Sequence, residues 1–337
     1  RKEAPALVNV IDSRIFATTS SPTLAEGLTF QPGVRVENDC QNCGFTQARI
    51  NGLDGHYSQV LIDSRPVFSA LAGVYGLEQI PSSMIDRVEV VRGGGSALFG
   101  ASAIGGTINI ITKEAMSSSA GISHDLTSIG VSGALDNNTS LNASMVTDDG
   151  RGGLFVFGQK RLRDGYDADG DGFTDIPMIN SITVGTRGHL RVNPFSKIRL
   201  EYHGTKELRR GGDRLDLPAH EALIAEQTEH TNNSGSLSYD GQSQDGRQIW
   251  NAYASAQHIR RSSSYGAGKV PEADGETTDL SAVFGGQYSY KFDCLLFMPA
   301  QLTAGLEYNY DDLNDVSFGY DYKTSQKVRI FGSYLQN

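Results

Sequence analysis

Nowhere in its 337 residues does this chain carry an apolar run long enough to cross a bilayer as a helix, since such a span needs about 20 consecutive apolar residues. A helical membrane protein is therefore excluded. Basic residues are also short: 29 Lys and Arg stand against 39 Asp and Glu, a formal charge of −10. Binding a polyanion calls for clustered cations, so nucleic acid is excluded as a partner. Hydrophobic residues make up 38% of the chain, below the globular average, while Gly, Ser, Asn and Tyr are plentiful. No secretory leader is visible and the chain opens at Arg1 rather than Met, which is what processing or trimming leaves. No arrangement of nucleophile, base and acid survives inspection, so the sequence does not read as an enzyme.

Cysteine is scarce as well. Cys40 and Cys43 sit in "DCQNCG", and Cys294 stands alone in "FDCLLF". A lone CxxC is half a zinc site, a redox pair or a small loop disulfide. No second CxxC or HxxxH completes a zinc tetrahedron, and no βαβ pattern surrounds the pair as in thioredoxin-like folds. The reading adopted is a Cys40–Cys43 disulfide pinning a surface loop in an oxidising compartment, with two reduced thiols as the alternative.

What is abundant changes near residue 115. Before it, β-branched segments such as "SQVLIDSRPV" and "MIDRVEVVR" alternate with short helices, expected around Ser21 to Leu28, with Pro22 in the first turn after a Ser cap, and around Leu77 to Ile80. Residues 1–115 read as a compact α+β domain. From 116 to 337 long alternating segments take over. In "KIRLEYHGT", Ile198, Leu200 and Tyr202 alternate with Arg199, Glu201 and His203; "DLSAVFGGQYSY" and "QLTAGLEYNY" repeat the pattern. Period-2 patterning means strands with one apolar face, and about ten of them are expected. A soluble sandwich would turn that face inward; a transmembrane barrel turns it to lipid and lines a wet lumen with the polar face. Full charges on the polar face, aromatics towards strand ends, and short turns alternating with long loops favour the barrel.

One stretch, "VVRGGGSALFGASAIGGTINIITK" (Val90 to Lys113), packs glycines between two β-branched runs. A phosphate loop is disfavoured because no GKS or GKT follows and no helix pattern begins. With "MIDRVEVVR" before it, the stretch resembles the last part of the plug domain of TonB-dependent outer-membrane receptors. "VLIDSRPV" (Val60 to Val67) and "LTFQPGVRV" resemble earlier plug segments. The resemblance implies a plug inside a transmembrane antiparallel β-barrel of twenty-two strands, so that about ten strands make an incomplete barrel and the chain is a fragment. It places the protein in the bacterial outer membrane, in contact with its lipid. It implies coupling to the TonB complex through an N-terminal box preceding Arg1, and in some relatives a capping surface lipoprotein. The glycines are expected to let the plug backbone crowd against the wall. By position, Glu89 and Arg92 inherit the role of latching plug to barrel. Where the family's motif reads Ile-Arg-Gly, this chain has Ile50-Asn51-Gly52, which leaves Arg49 as a displaced candidate.

A loop with its own chemistry follows: "DGYDADGDGFTDIP". Asp167, Asp169 and Asp171 at alternate positions, then Gly172, match the first half of an EF-hand loop, with Asp175 at its ninth position and Met178 where a bidentate Glu belongs. Carboxylates this close repel unless a hard cation neutralises them, and calcium suits flexible oxygen ligands; a solvated acidic loop is the alternative. Cobalamin receptors of the resembled family carry calcium-binding aspartates in an early external loop, with further ligands from the next loop, here Asp213 and Asp216. The function implied is TonB-dependent import of a scarce metal chelate, cobalamin or a related corrinoid first, haem or a ferric siderophore next. The ligand would meet plug apices carrying Phe45, Gln47, Asp54, His56 and Tyr57. A different class, a secreted calcium-binding adhesin or carbohydrate-binding module, would account for the acidic loop and tyrosines but not for the plug-like first third.

Overall fold

The structure, a computed structural model, describes residues 8–40, 44–65, 76–93, 103–131, 133–269, 273–295 and 297–336. Cys43 and the side chains of Cys40 and Phe45 lie outside the described residues, and with them the disulfide expectation.

The first domain is built on a four-stranded sheet of order β1-β5-β6-β4 and a hairpin β2-β3. Its strands are β1 (Val8–Asp12), β2 (Val34–Cys40), β3 (Phe45–Ile50), β4 (Ser58–Ile62), β5 (Ile85–Arg92) and β6 (Gly106–Thr112). β4 runs parallel to β6, while β1 and β6 flank β5 antiparallel. Two short helices pack beside them, α1 (Ser13–Thr18), whose N-cap Asp12 accepts from the Arg14 and Ile15 amides, and α2 (Leu24–Leu28). The second helix starts later than its Ser-Pro signal predicts: Thr23 is the cap, and residues 76–79 are helical as expected. Val88, Val90, Ile108 and Ile110 are fully buried with Leu24, Leu28 and Ile50 in one core.

Of the glycine-rich stretch, Gly94, Gly95 and Gly100 lie outside the described residues, and Gly106 departs from its expected role. Gly93 adopts φ +99° and Gly106 φ +152°. A Cβ on Gly106 would lie 2.2 Å from the Val91 carbonyl oxygen and 3.1 Å from Ile50. At this position the crowding is therefore inside the first domain, between β5 and β6, and not against the wall. Gly106→Ala should cost about 1–3 kcal/mol or more, from a strained backbone and a clash with a carbonyl that cannot swing away. Denaturant unfolding of the full-length protein, followed by proteolysis within residues 1–115, checks this; an unchanged midpoint would count against the close approach.

Ten antiparallel strands follow in simple sequential order: β7 (Ser119–Ile129), β8 (Ala134–Val146), β9 (Gly152–Arg163), β10 (Met178–Asn193), β11 (Ser196–Gly212), β12 (Ile224–Gln242), β13 (Gln248–Ala267), β14 (Asp274–Leu295), β15 (Met298–Ser317) and β16 (Tyr322–Gln336). The count matches the sequence expectation. Their two faces decide between sandwich and barrel. Leu200 is 62% exposed, Phe284 52% and Leu306 57%, whereas Thr205, Glu207, Arg209, Thr228 and His230 on the opposite face are buried. Apolar outside and polar inside is the inverse of a soluble core and the pattern of a strand wall in lipid. The secreted-module alternative falls with it.

Candidate functional site

The buried polar face is where the first domain sits. Inward-pointing basic side chains of the wall reach it. Arg161 on β9, 3% exposed, donates to Asp136 on β8 at 2.6 Å and to Glu26 of α2 at 2.7 Å. Arg187 on β10 donates to Asp63 at 2.6 Å. Arg209 on β11 donates to the Gly44 carbonyl and to Glu78, with Glu207 at 3.4 Å. At the junction between the domains, Glu114 accepts from Lys197, with His189 at 3.3 Å. Asp63 is doubly used, because its carboxylate also accepts from the Thr112 amide and hydroxyl at the end of β6. Gln159 adds a bond to the Pro22 carbonyl at 2.9 Å, and Phe155 and Phe157 on the same strand join the plug-side core.

The carboxylates respond in opposite senses. Burial raises the Glu26 carboxyl, and Arg161, shared with Asp136, does not reverse it. Burial works the same way on Glu78, but Arg209, Arg163 and Arg161 together outweigh it and hold the group down to about 2. Burial likewise raises Glu114, and the hydrogen bond and charge of Lys197 carry it below the usual range. These are paired, charge-assisted contacts between largely buried side chains.

The sequence-expected latches lie elsewhere. Glu89 is bonded to Arg87 at 2.9 Å and to Asn109 at 3.4 Å inside the four-stranded sheet. Arg92 packs over Gly33, where a Cβ would meet its guanidinium at 2.6 Å. Arg49 sits between Glu37 (2.5 Å) and Asp54 (2.9 Å). The pairs to the wall described above come from Glu26, Asp63, Glu78 and Glu114, none of which sequence reasoning singled out. Asp63 lay within the quoted "VLIDSRPV", but its partner is 124 residues away, and no local pattern marks such a pairing.

Of the expected apices, Gln47 accepts from the Gly55 amide at 2.9 Å and so ties the hairpin to the turn before β4. Asp54 is engaged by Arg49, while His56 and Tyr57 are exposed with ring centroids 3.9 Å apart. The bond from Arg209 to Gly44 puts the hairpin near the long-loop rim of the wall, because Arg209 lies three residues from the end of β11.

At that rim the acidic loop between β9 and β10 folds on itself. Asp167 accepts from the Gly170 amide at 2.7 Å and the Gly172 amide at 2.9 Å, which holds its carboxyl below the usual range. Asp175 accepts from Ala168 at 2.7 Å. These turns bring carboxylate oxygens of Asp167, Asp169 and Asp175 within 4.8 Å of one another. Asp171 is not among them and accepts from the Phe173 amide. The expectation that Asp213 and Asp216 complete the set needs correcting. One Asp213 oxygen accepts from both the Leu223 and Ile224 amides at 2.8 Å, closing its own loop, and Asp216 is exposed. The two loops nonetheless touch through reciprocal bonds between Thr174 and Gly212.

Comparison with known proteins gives these features a context. The family model "TonB-dependent Receptor Plug Domain" matches residues 1–107. The vitamin B12 transporter BtuB of Vibrio cholerae serotype O1 is 34% identical over 106 residues, which is 32% of this chain and 17% of that protein. The ferric enterobactin receptor of Pseudomonas aeruginosa is 29% identical over 127 residues, 34% of this chain and 17% of the relative. Among solved structures, a mutant of the P. aeruginosa ferric enterobactin receptor PfeA superposes with a TM-score of 0.80 at 18% identity, covering 99% of this chain and 55% of that one. The siderophore receptor PirA of Acinetobacter baumannii gives 0.77 at 18% identity, covering 92% and 48%. This chain thus spans about half the length of those two receptor structures.

Proposed function

Residues 1–107 match the TonB-dependent receptor plug domain and the chain has the fold of these outer-membrane receptors, and from that premise we propose that the protein imports a scarce metal chelate across the outer membrane, coupled to TonB. The observation that carries this reading is a plug held on the polar wall by dispersed ion pairs, with Phe155 and Phe157 of the wall in its apolar core. Breaking a buried pair is costly, so such a plug is firmly seated, yet its grip is divided among separate contacts that can be released one at a time. No covalent chemistry is needed.

Cobalamin is the first ligand to test, because the plug is 34% identical to that of a vitamin B12 transporter. A ferric siderophore is the second, on the 29% identity to a ferric enterobactin receptor. Equilibrium binding of cyanocobalamin, ferric enterobactin and haemin to the full-length receptor separates them. Binding of none would reject the import reading.

Asp167, Asp169 and Asp175 fit a calcium ion: three carboxylates converge, and flexible oxygen donors suit this cation. When bound, the ion would neutralise the loop and stiffen the rim over the plug. Asp169→Ala with Asp175→Asn should abolish calcium binding in a calorimetric titration and leave chelate affinity indifferent to calcium. Retained calcium affinity would remove the loop from the site.

A further inference from the structure

At the long-loop rim the plug backbone comes closest to an outer loop at one glycine. Gly44 is buried and adopts φ +62°. A Cβ there would lie 2.6 Å from Nη1 of Arg209 and 2.8 Å from Cγ of Pro177, the last residue of the acidic loop between β9 and β10. Both neighbours are themselves held. Arg209 bonds Glu78 as well as the Gly44 carbonyl, and Pro177 is a rigid ring whose carbonyl accepts from Arg163 at 3.1 Å. Only glycine combines that backbone turn with so close an approach.

The same loop is fastened to the outer loop on its other side. The Thr174 amide donates to the Gly212 carbonyl at 3.1 Å, and the Thr174 hydroxyl accepts from the Gly212 amide at 2.9 Å. Leu215, in the loop after β11, lies 2.4 Å from where Gly165 would carry a Cβ. The foot of the acidic loop is thus packed against the plug hairpin β2–β3 and bonded to the next outer loop at once.

We propose that this loop and the plug hairpin form one docked unit seated at Gly44, so that opening of the outer loops and displacement of the plug apex are a single event. A chelate that holds the loops closed would then also hold the apex; in this consequence the proposal rests on the import reading. The docking itself rests on the contacts alone, and a coupling of this kind acts equally in both directions.

Amide hydrogen exchange of the full-length receptor in detergent, with no ligand present, tests it. Gly44→Ala should speed exchange at Thr174, Asp175 and Ile176, whose amides are bonded at the foot of the loop, by about threefold or more. Pro177→Ala, which trims the ring from the wall side and leaves the plug sequence intact, should speed exchange across residues 45–50 by a similar factor. Gly52→Ala is the control: Gly52 adopts φ +82°, yet no described atom lies within 4 Å of its Cβ position, so it carries the backbone strain without the contact and should leave residues 174–176 unchanged. Heat-modifiable migration confirms assembly, and Pro177→Ala alone decides if Gly44→Ala fails to assemble. Unchanged exchange at 174–176 in Gly44→Ala, an equal change in Gly52→Ala, or unchanged exchange at 45–50 in Pro177→Ala would overturn the proposal. Any of these leaves the import reading standing, because that reading fails only if the receptor binds none of the three chelates.

Discussion

Arg209→Met is expected to loosen the plug from the wall by about 3–5 kcal/mol, the scale for removing one partner of a buried ion pair. The guanidinium is 1% exposed and reaches two plug groups, the Gly44 carbonyl and the Glu78 carboxylate. Methionine fills similar volume but leaves Glu78 charged, buried and without its main counter-charge. The control is the double variant Arg209→Met with Glu78→Gln, which removes the stranded charge and should recover much of the loss. Denaturant unfolding of these two and of Glu78→Gln alone, arranged as a double-mutant cycle, gives the coupling directly. Additive losses with no recovery would mean that the two side chains act independently.

The same pair fixes a pH dependence. The Glu78 carboxyl is held below its ordinary value of 4.5, down to about 2, so its contribution to stability is present in full above pH 4.5. It is lost as pH falls towards 2, where the folded form takes up its proton. Acid unfolding of the receptor should therefore show a component in that window that Glu78→Gln removes.

Phe284→Arg should cost about 2–4 kcal/mol, the penalty for a cation placed near the middle of the lipid-facing band of a strand wall. Phe284 lies in an outward row between Ala254 on β13 and Tyr308 on β15, with Leu280 and Tyr288 on the same face of its own strand. Ser281→Lys, on the opposite face where Ser281 already bonds Asp311, should cost far less, since water and a carboxylate receive the charge. Urea unfolding from lipid vesicles compares the two. Equal losses would contradict the assignment of faces, and a larger loss for Ser281→Lys would reverse it.

That comparison also marks how far the sequence could be read. Alternation in "KIRLEYHGT" and "DLSAVFGGQYSY" identifies strands, and full charges on one face already hint that the apolar face is the outer one. The acidic loop is legible because its aspartates and glycines are neighbours in the chain, and its turns close through local backbone bonds. Asp213 misled because a resemblance in loop order does not say which carboxylates the folded loops bring together: only Asp167, Asp169 and Asp175 converge. The latches misled for a similar reason: Glu89 and Arg92 occupy suggestive positions in the chain, yet Glu89 is bonded to Arg87 and Asn109 within the sheet and Arg92 lies over Gly33 of the plug.

By itself the amino-acid order determined everything that depends on near neighbours: a glycine-dense α+β domain, about ten amphipathic strands, and a self-closing acidic turn. Tertiary structure alone decided which carboxylates grip the wall, because Glu26 meets Arg161, Asp63 meets Arg187 and Glu78 meets Arg209 across more than a hundred residues. A charged pair carries no periodicity and no local geometry into the sequence; it exists only once two distant surfaces have been brought together and water has been displaced between them.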